Sequence, residues 1–411
     1  MHHGIQSITL LGSSSGRNAG DAALVAAIMD SVDRALGRRI RYEIPTPRAA
    51  YIRDHYPNDA RPVGMMPWQL SVKMLGLPTL RSILRTDLTL IFDAILFDRS
   101  LFNPLFNFLS TLYLLLPLAR RFGKRMACYD VGVGPIHTRA GRHMLRRVLG
   151  CMDFVTVRDE AGLALLRENG IEHPRARLAA DAALNAPAAD AAAVDAIFRR
   201  AGLAPGEPAL GININRYLDT WAAPGRRSMG AEAFLNVFAG ALTRVWNELK
   251  TPLVFVTTQH HDVEITRDLM DRLPPGVKTA LIANRDYDHA ETKGALGRLD
   301  LLCGMRLHSL ILATAGLTPA VGIAYQPKVK YYFDTLGLGD RVLSFDDFTE
   351  EKLAGHILRG WNDRAKIRAA LEQRIPPLGR LAARPADLVA AMDRGEDLDR
   401  VLQNTWPTGT T

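Results

Sequence analysis

Cysteine is scarce in this chain: Cys128, Cys151 and Cys303 are the only three among 411 residues, and they lie far apart. Disulfide frameworks and Cys-based zinc sites both need paired cysteines, so both are excluded and a reducing cytoplasm is the expected setting. The amino terminus lacks a basic stretch followed by a long apolar core and a small-residue cleavage site, so no secretory signal is expected. Nucleotide-loop signatures are missing too. Gly12, Gly16 and Gly20 do not spell G-x-G-x-x-G, and no G-x-x-x-x-G-K-[ST] occurs. Asp286-Tyr287-Asp288 is a bare D-x-D, too common to mark a metal-dependent glycosyltransferase. His260, His261 and Asp262 are adjacent, which points their side chains in different directions, so no metal site is expected.

What is present is an ordinary folded composition, 47% hydrophobic and 23% charged, on a length that fits two domains. The formal net charge of +8 suits phosphates, nucleotide sugars, nucleic acid or an acidic membrane face, and selects none of them. One apolar run, Leu101 to Leu118, reaches the length at which a membrane helix becomes a candidate. Pro104 and Pro117 bracket it and Asn103, Asn107, Ser110 and Thr111 interrupt it, so a helix covering a sheet is expected, with an interfacial contact as the second reading.

Strand and helix patterns alternate along the chain. Strands are expected at Ile5–Leu11, Arg39–Ile44, Leu88–Phe92, Arg125–Val131 and Phe154–Val157, with helices at Asp21–Leu36, Leu105–Phe122, Arg139–Leu149 and Glu160–Asn169. Asp21 stands as an N-cap or first-turn acid, and Gly170 as the terminator after the last helix. Pro45 to Pro78 is an irregular excursion with short helical pieces. After the small-residue stretch Ala179–Ala193, the best linker, a second series follows at Ala209–Ile214, Leu253–Thr257, Val277–Ile282, Leu299–Cys303 and Ala320–Ala324, and an amphipathic helical tail starts at Glu350. The expectation is α/β, with two Rossmann-like domains facing a cleft, spanning 1–187 and 188–345, and a tail over 346–411.

The densest chemistry lies in Cys303-Gly304-Met305-Arg306-Leu307-His308, where a short apolar strand ends in Gly and a helix begins. Such a helix start offers backbone N–H groups and a positive dipole end. Arg306 adds a forked donor for carboxylate or phosphate oxygens, and His308 a group that titrates near neutral pH. A small doubly anionic molecule that must be protonated would fit there. The plainer reading leaves Arg306 capping a carboxylate and His308 as a satisfied core histidine.

Arg306-Leu307-His308 at a helix start, then Gly316-Leu317-Thr318-Pro319, a strand, and Tyr325-Gln326-Pro327-Lys328-Val329, resembles the C-terminal signature of the polysaccharide pyruvyl transferases. Further matches occur in the family's order. Gly12–Ala22 resembles its Gly-x-x-Asn-x-Gly-Asp loop, Val131–Pro135 its Gly-x-Gly-Pro turn, and Thr156–Gly170 its Val-Arg-Asp strand end and helix. Ala180-Asp181-Ala182 resembles an interdomain Asp element, and Gln259 with Asp262 an element after a second-domain strand.

The resemblance implies a GT-B-like architecture and a soluble enzyme of cell-envelope or exopolysaccharide biosynthesis, with phosphoenolpyruvate as donor substrate, no cofactor, and a sugar or lipid-linked glycan as acceptor. Nucleic acid is not expected as a partner. It implies Arg306 and Leu307 against the donor anion, and His308 in donor binding or acid catalysis. Arg158 and Arg216, each after a strand, are further anion candidates; Asn18 and Asp21 belong to the N-terminal loop, where Asp21 either orients an acceptor hydroxyl or caps the helix, and Lys328 is either a phosphate contact or a solvated helix residue. Arg158 with Asp159 is equally a structural ion pair, and His137 is an acid/base candidate. The basic balance and the Leu101–Leu118 helix fit peripheral contact with the inner face of the cytoplasmic membrane. One departure stands out: Ile91–Phe97 is bulky where the family usually shows glycines, which puts the acceptor in doubt first. The competing functions are a GT-B glycosyltransferase using a nucleotide sugar and a non-catalytic subunit of polysaccharide assembly.

Overall fold

The structure is a computed structural model and describes residues 4–57, 59–64, 76–98, 108–204, 206–216 and 229–406. The chain forms two compact units: Met1–Gly16 with Leu24–Asn185 and Leu378–Thr411, and Arg17–Ala23 with Ala186–Pro377. The change of unit at Asn185 falls inside the small-residue stretch read as a linker. The C-terminal 346–411 is shared between the units, and the short piece Arg17–Ala23 belongs with the second.

The first unit is a seven-stranded, all-parallel sheet. In chain order its elements are β1 (Ser7–Leu11), α1 (Ala19–Leu36), β2 (Arg41–Thr46), α2 (Ala49–His55), β3 (Ala60–Gly64), α3 (Leu77–Arg85), β4 (Leu88–Ile91), α4 (Phe108–Arg121), β5 (Arg125–Val131), α5 (Arg139–Leu149), β6 (Val155–Val157), α6 (Glu160–Glu168) and β7 (Ala176–Leu178). The strand order β3-β2-β1-β4-β5-β6-β7 reverses direction between β1 and β4, as in a Rossmann sheet. Strands β1, β4 and β6 are buried along their whole length, as strands covered on both faces must be. Gly170 terminates α6 at φ +60, a conformation that costs glycine nothing.

The second unit follows with α7 (Ala191–Arg200), β8 (Leu210–Asn213), α8 (Ala231–Leu249), β9 (Leu253–Thr257), α9 (Asp262–Met270), β10 (Thr279–Ala283), α10 (His289–Gly297), β11 (Leu301–Gly304), α11 (Leu307–Ala315), β12 (Ala320–Ala324), α12 (Pro327–Thr335), β13 (Val342–Ser344) and α13 (Glu350–Asn362). Its six parallel strands run β10-β9-β8-β11-β12-β13, with the reversal between β8 and β11. The long α14 (Arg364–Arg394) and α15 (Leu398–Thr405) complete the chain. Phe234, Phe238, Phe345 and Phe348 cluster with ring centroids 4.8–6.1 Å apart and close the face of this sheet that α8 and α13 cover.

Three strands escaped the sequence reading: β3, inside the supposed irregular excursion, β7 and β13. Each is an outer strand of three to five residues. The helix expected over Leu105–Phe122 is seen as α4 from Phe108, passing through Pro117; the first part of Leu101–Leu118, residues 101–107, lies outside the described residues, as does most of the excursion's end, 65–75. Among the described residues no helix is long and apolar enough to cross a membrane.

Candidate functional site

In the second unit the strand order reverses between β8 and β11, the point where ligands of open α/β sheets bind, beyond the carboxyl ends of the strands. Asn213 ends β8. Its Oδ1 accepts from the backbone N–H of Arg306 at 3.1 Å and from Ser309 Oγ at 2.8 Å, which fixes the start of α11. Arg306 occupies the N-cap position with no side-chain cap of its own. Its guanidinium grips Asp262 in a two-pronged pair, Nε to Oδ2 and Nη2 to Oδ1, both at 2.7 Å. Asp262 opens α9, has no solvent exposure, and also accepts from the backbone N–H of Arg216 at 3.1 Å. Arg306 is thus a carboxylate partner, as the plainer reading had it, and 19% of its side chain still meets solvent.

The N-terminal loop supplies the other half of this site. Arg17–Ala19 runs antiparallel to Thr258–His260, which follows β9: Ala19 N–H donates to Thr258 O at 2.8 Å and His260 N–H to Arg17 O at 3.0 Å, and Asn18 bridges Gln259. Asn284 Nδ2 donates to Arg17 O as well, at 2.9 Å. The helix α1 begins two residues earlier than the sequence suggested, and Asn18 does the capping: its Oδ1 accepts from Gly20 N–H at 2.9 Å. Asp21 is a first-turn acid whose Oδ1 accepts from Asn18 Nδ2 at 2.7 Å and stands 3.6 Å from His308 Nδ1. Asp21 and His308 are equally shielded, each 13% exposed. Gly20 lies flat against the histidine, so that a Cβ there would sit 2.2 Å from His308 Cβ and Cγ. Two helix starts, α1 and α11, therefore meet at one imidazole.

Of the residues singled out in the sequence, Asn18, Asp21, Arg306, Leu307 and His308 come together here. Arg216 joins through its backbone while its side chain is exposed. Lys328 is exposed in the first turn of α12, at the end of the neighbouring strand β12. The two remaining candidates lie in the first unit. His137 is exposed in the loop before α5, where its backbone N–H donates to the buried Asp98 Oδ2 at 2.8 Å. Arg158, after β6, is a buried ion-pair residue: it contacts Asp181 at 3.1 Å and Asp159 at 3.6 Å, while Asp159 caps α6. The Val-Arg-Asp element and the Asp181 element are therefore one structural cluster. Gly132 lies against the Arg158 guanidinium, where a Cβ would sit 2.9 Å from Nη2.

Two residues were not anticipated. Asn215, two positions past the end of β8, is fully buried, and among the described residues neither of its amide atoms is hydrogen-bonded; the pattern Asn213-Ile214-Asn215 on a strand end was its sequence signal. Asp130, on β5 at φ +49, sits where the register with β6 shifts. Among the described residues neither of its carboxylate oxygens is matched by a donor in good hydrogen-bond geometry, although the Thr156 hydroxyl lies beside them. Burial pushes its carboxyl well above the ordinary carboxylate range; the neighbouring Thr156 hydroxyl opposes this, the negative charge of Asp181 adds to it, and the Arg158 charge opposes it again. Among the described residues no group of three or more His, Cys, Asp or Glu side chains is placed to hold a metal ion.

A family model described as polysaccharide pyruvyl transferase matches residues 18–327, most of the chain. No curated protein matches. Solved structures share the fold. A UDP-N-acetylglucosamine 2-epimerase superposes with a TM-score of 0.62 at 10% identity, covering 95% of this chain and 97% of that one. The UDP-GlcNAc 2-epimerase of Methanocaldococcus jannaschii gives 0.56 at 11% over 87% and 92%, and Anabaena HepE in complex with UDP gives 0.54 at 11% over 97% and 100%. At such identities the likeness concerns the fold, a GT-B-like pair of Rossmann-type sheets.

Proposed function

The chain belongs to the polysaccharide pyruvyl transferase family, and from that premise we propose that it moves the enolpyruvyl unit of phosphoenolpyruvate onto two hydroxyls of a sugar, closing a pyruvyl ketal. The observation that carries this reading is the chain Asn18–Asp21–His308, set two residues from Arg306 at the start of α11. The reaction asks for one proton donor and a cradle for two anionic groups.

In this reading His308, held by Asp21, gives a proton to the methylene carbon of the donor, and positive charge develops on the carbon that bears phosphate. A sugar hydroxyl adds to that carbon. The carbon–oxygen bond to phosphate then breaks, and a second hydroxyl attacks the same carbon. Of the two hydroxyl protons one is matched by the new methyl hydrogen, and the other leaves with phosphate. Asp21 would steady the imidazolium form of His308, and Asn18 holds Asp21. The start of α11 and the ammonium of Lys328 would receive the donor's oxygens. Arg306 is already paired with Asp262, so its part is directional: Asp262 locks the guanidinium plane, and that fixed plane orients the donor carboxylate.

The test is calorimetric titration with phosphoenolpyruvate. The wild type should bind, and Arg306→Ala and His308→Ala should each weaken binding by about ten-fold or more, the loss expected for one charge-assisted contact. A folded wild type that ignores phosphoenolpyruvate with and without a glycan acceptor, yet binds a nucleotide sugar, would replace this reading with glycosyl transfer.

A further inference from the structure

The described residues expose five large hydrophobic side chains, and three of them, Leu114 (63%), Leu118 (41%) and Phe122 (64%), recur every fourth residue along α4 and the turn that ends it. A spacing of four puts all three on one face. The opposite face, with Leu109, Leu112, Leu116 and Ala119, is buried in the core of the first unit. Single exposed leucines are ordinary on soluble proteins, but a continuous stripe is a contact surface.

The rim of the stripe is basic. Neither α4 nor its neighbour α5 contains an acidic residue; α4 ends in Arg120 and Arg121, and α5 carries Arg139, Arg142, Arg146 and Arg147. Lys124 and Arg125 follow directly. An open groove lined by Leu118, Arg120, Arg121, Arg147 and Cys151 joins the apolar stripe to the arginines of α5. Arg120 pairs with Asp153 and Arg146 reaches the carbonyls of Asn169 and Gly170, while Arg121 and Arg147 are exposed.

We propose that this face of the first unit docks on an anionic lipid bilayer, with Leu114, Leu118 and Phe122 entering the acyl boundary and the arginines lying among the phosphate headgroups. The chemistry favours this occupant over the alternatives. A second copy paired through the same face would set arginine against arginine, with no acid on either helix to separate them. A nucleic acid would satisfy the arginines and leave the Leu–Phe stripe in water. A bilayer satisfies both at once, and arginine stems can cover apolar surface while their heads reach phosphate. This surface is separate from the donor reading, and its test involves no turnover.

The test is flotation of the full chain with vesicles at low salt. Wild type should float with vesicles of equal parts phosphatidylcholine and phosphatidylglycerol and stay behind with phosphatidylcholine alone. Leu118→Ser with Phe122→Ser, both at exposed positions, should cut the bound fraction about ten-fold, and Arg121→Glu with Arg147→Glu should do the same. The proposal is overturned if wild type fails to float with the anionic vesicles, or if both double variants float as well as it does. It is also overturned if sedimentation shows a wild-type dimer that the serine variant disperses without any lipid binding.

Discussion

Gly20 has no room for a side chain. A methyl group there would overlap the His308 ring, whose position in turn sets the 3.6 Å contact to Asp21. Gly20→Ala sits in the first turn of α1, where alanine is the better helix former, so local propensity alone predicts a gain of about 0.5–1 kcal/mol. The overlap predicts the opposite: relieving it costs about 1–3 kcal/mol, which lowers the melting temperature, and it displaces His308, so that affinity for phosphoenolpyruvate should fall by about ten-fold or more. Titration and melting of the same preparation separate the two effects. A similar local argument explains the missing family glycines. Phe92 is fully buried against Gly12, where a Cβ would meet its ring at 2.7 Å, and Asp93 takes φ +67, the left-handed conformation that glycine adopts freely. Asp93 tolerates it by accepting a hydrogen bond from the N–H of Ala94 at 2.6 Å.

At the scale of elements, the site depends on how the short piece Arg17–Ala19 is fastened to Thr258–His260. Ala19 is the first residue of α1, a position where proline fits the helix but has no N–H to donate. Ala19→Pro should therefore leave α1 formed, remove the bond to Thr258 O and push the loop away from β9. The expected outcome is a loss of about 1–2 kcal/mol in denaturant unfolding, unchanged helical circular dichroism, and weakened phosphoenolpyruvate binding. This fastening was not legible in the sequence. Local periodicity found Arg125–Val131, Leu253–Thr257 and Ala320–Ala324 with their observed bounds because buried parallel strands are continuous apolar runs. It missed β3, β7 and β13, which are short and less buried, and β3 even contains Pro62, which suits an edge strand. The ordered motifs located Arg306 and His308 correctly at a helix start. They could not reveal that Asp262 would take the Arg306 guanidinium or that Arg158 would be buried against Asp181, since each is a pairing between distant segments that spacing does not encode.

For the whole molecule, two buried groups pull stability in opposite directions as pH changes. His356, on α13 in the second unit, is driven down to about 4, first by burial and then by the charge of Arg359. Between pH 6.5 and 4 the unfolded chain takes up a proton that the folded chain refuses, so stability falls as pH falls, by about 3 kcal/mol across the window. Asp130, in the first unit, is shifted upward by burial. Above the unfolded value near 3.8 the unfolded chain has released its proton while the folded chain keeps it, so stability falls as pH rises until the folded group ionises. The two slopes oppose each other over the same range. His356→Leu keeps the volume and removes the titration, so the stability difference between this variant and wild type should grow in the variant's favour from pH 7 to pH 5. Asp130→Asn imitates the protonated carboxyl, and its advantage over wild type should instead grow from pH 5 to pH 7. Chemical unfolding of the three proteins at both pH values measures each difference directly, with the other carboxylates common to all three. An advantage of Asp130→Asn that stays the same from pH 5 to pH 7 would mean that Asp130 is already ionised in the folded protein and that Arg158 outweighs its burial.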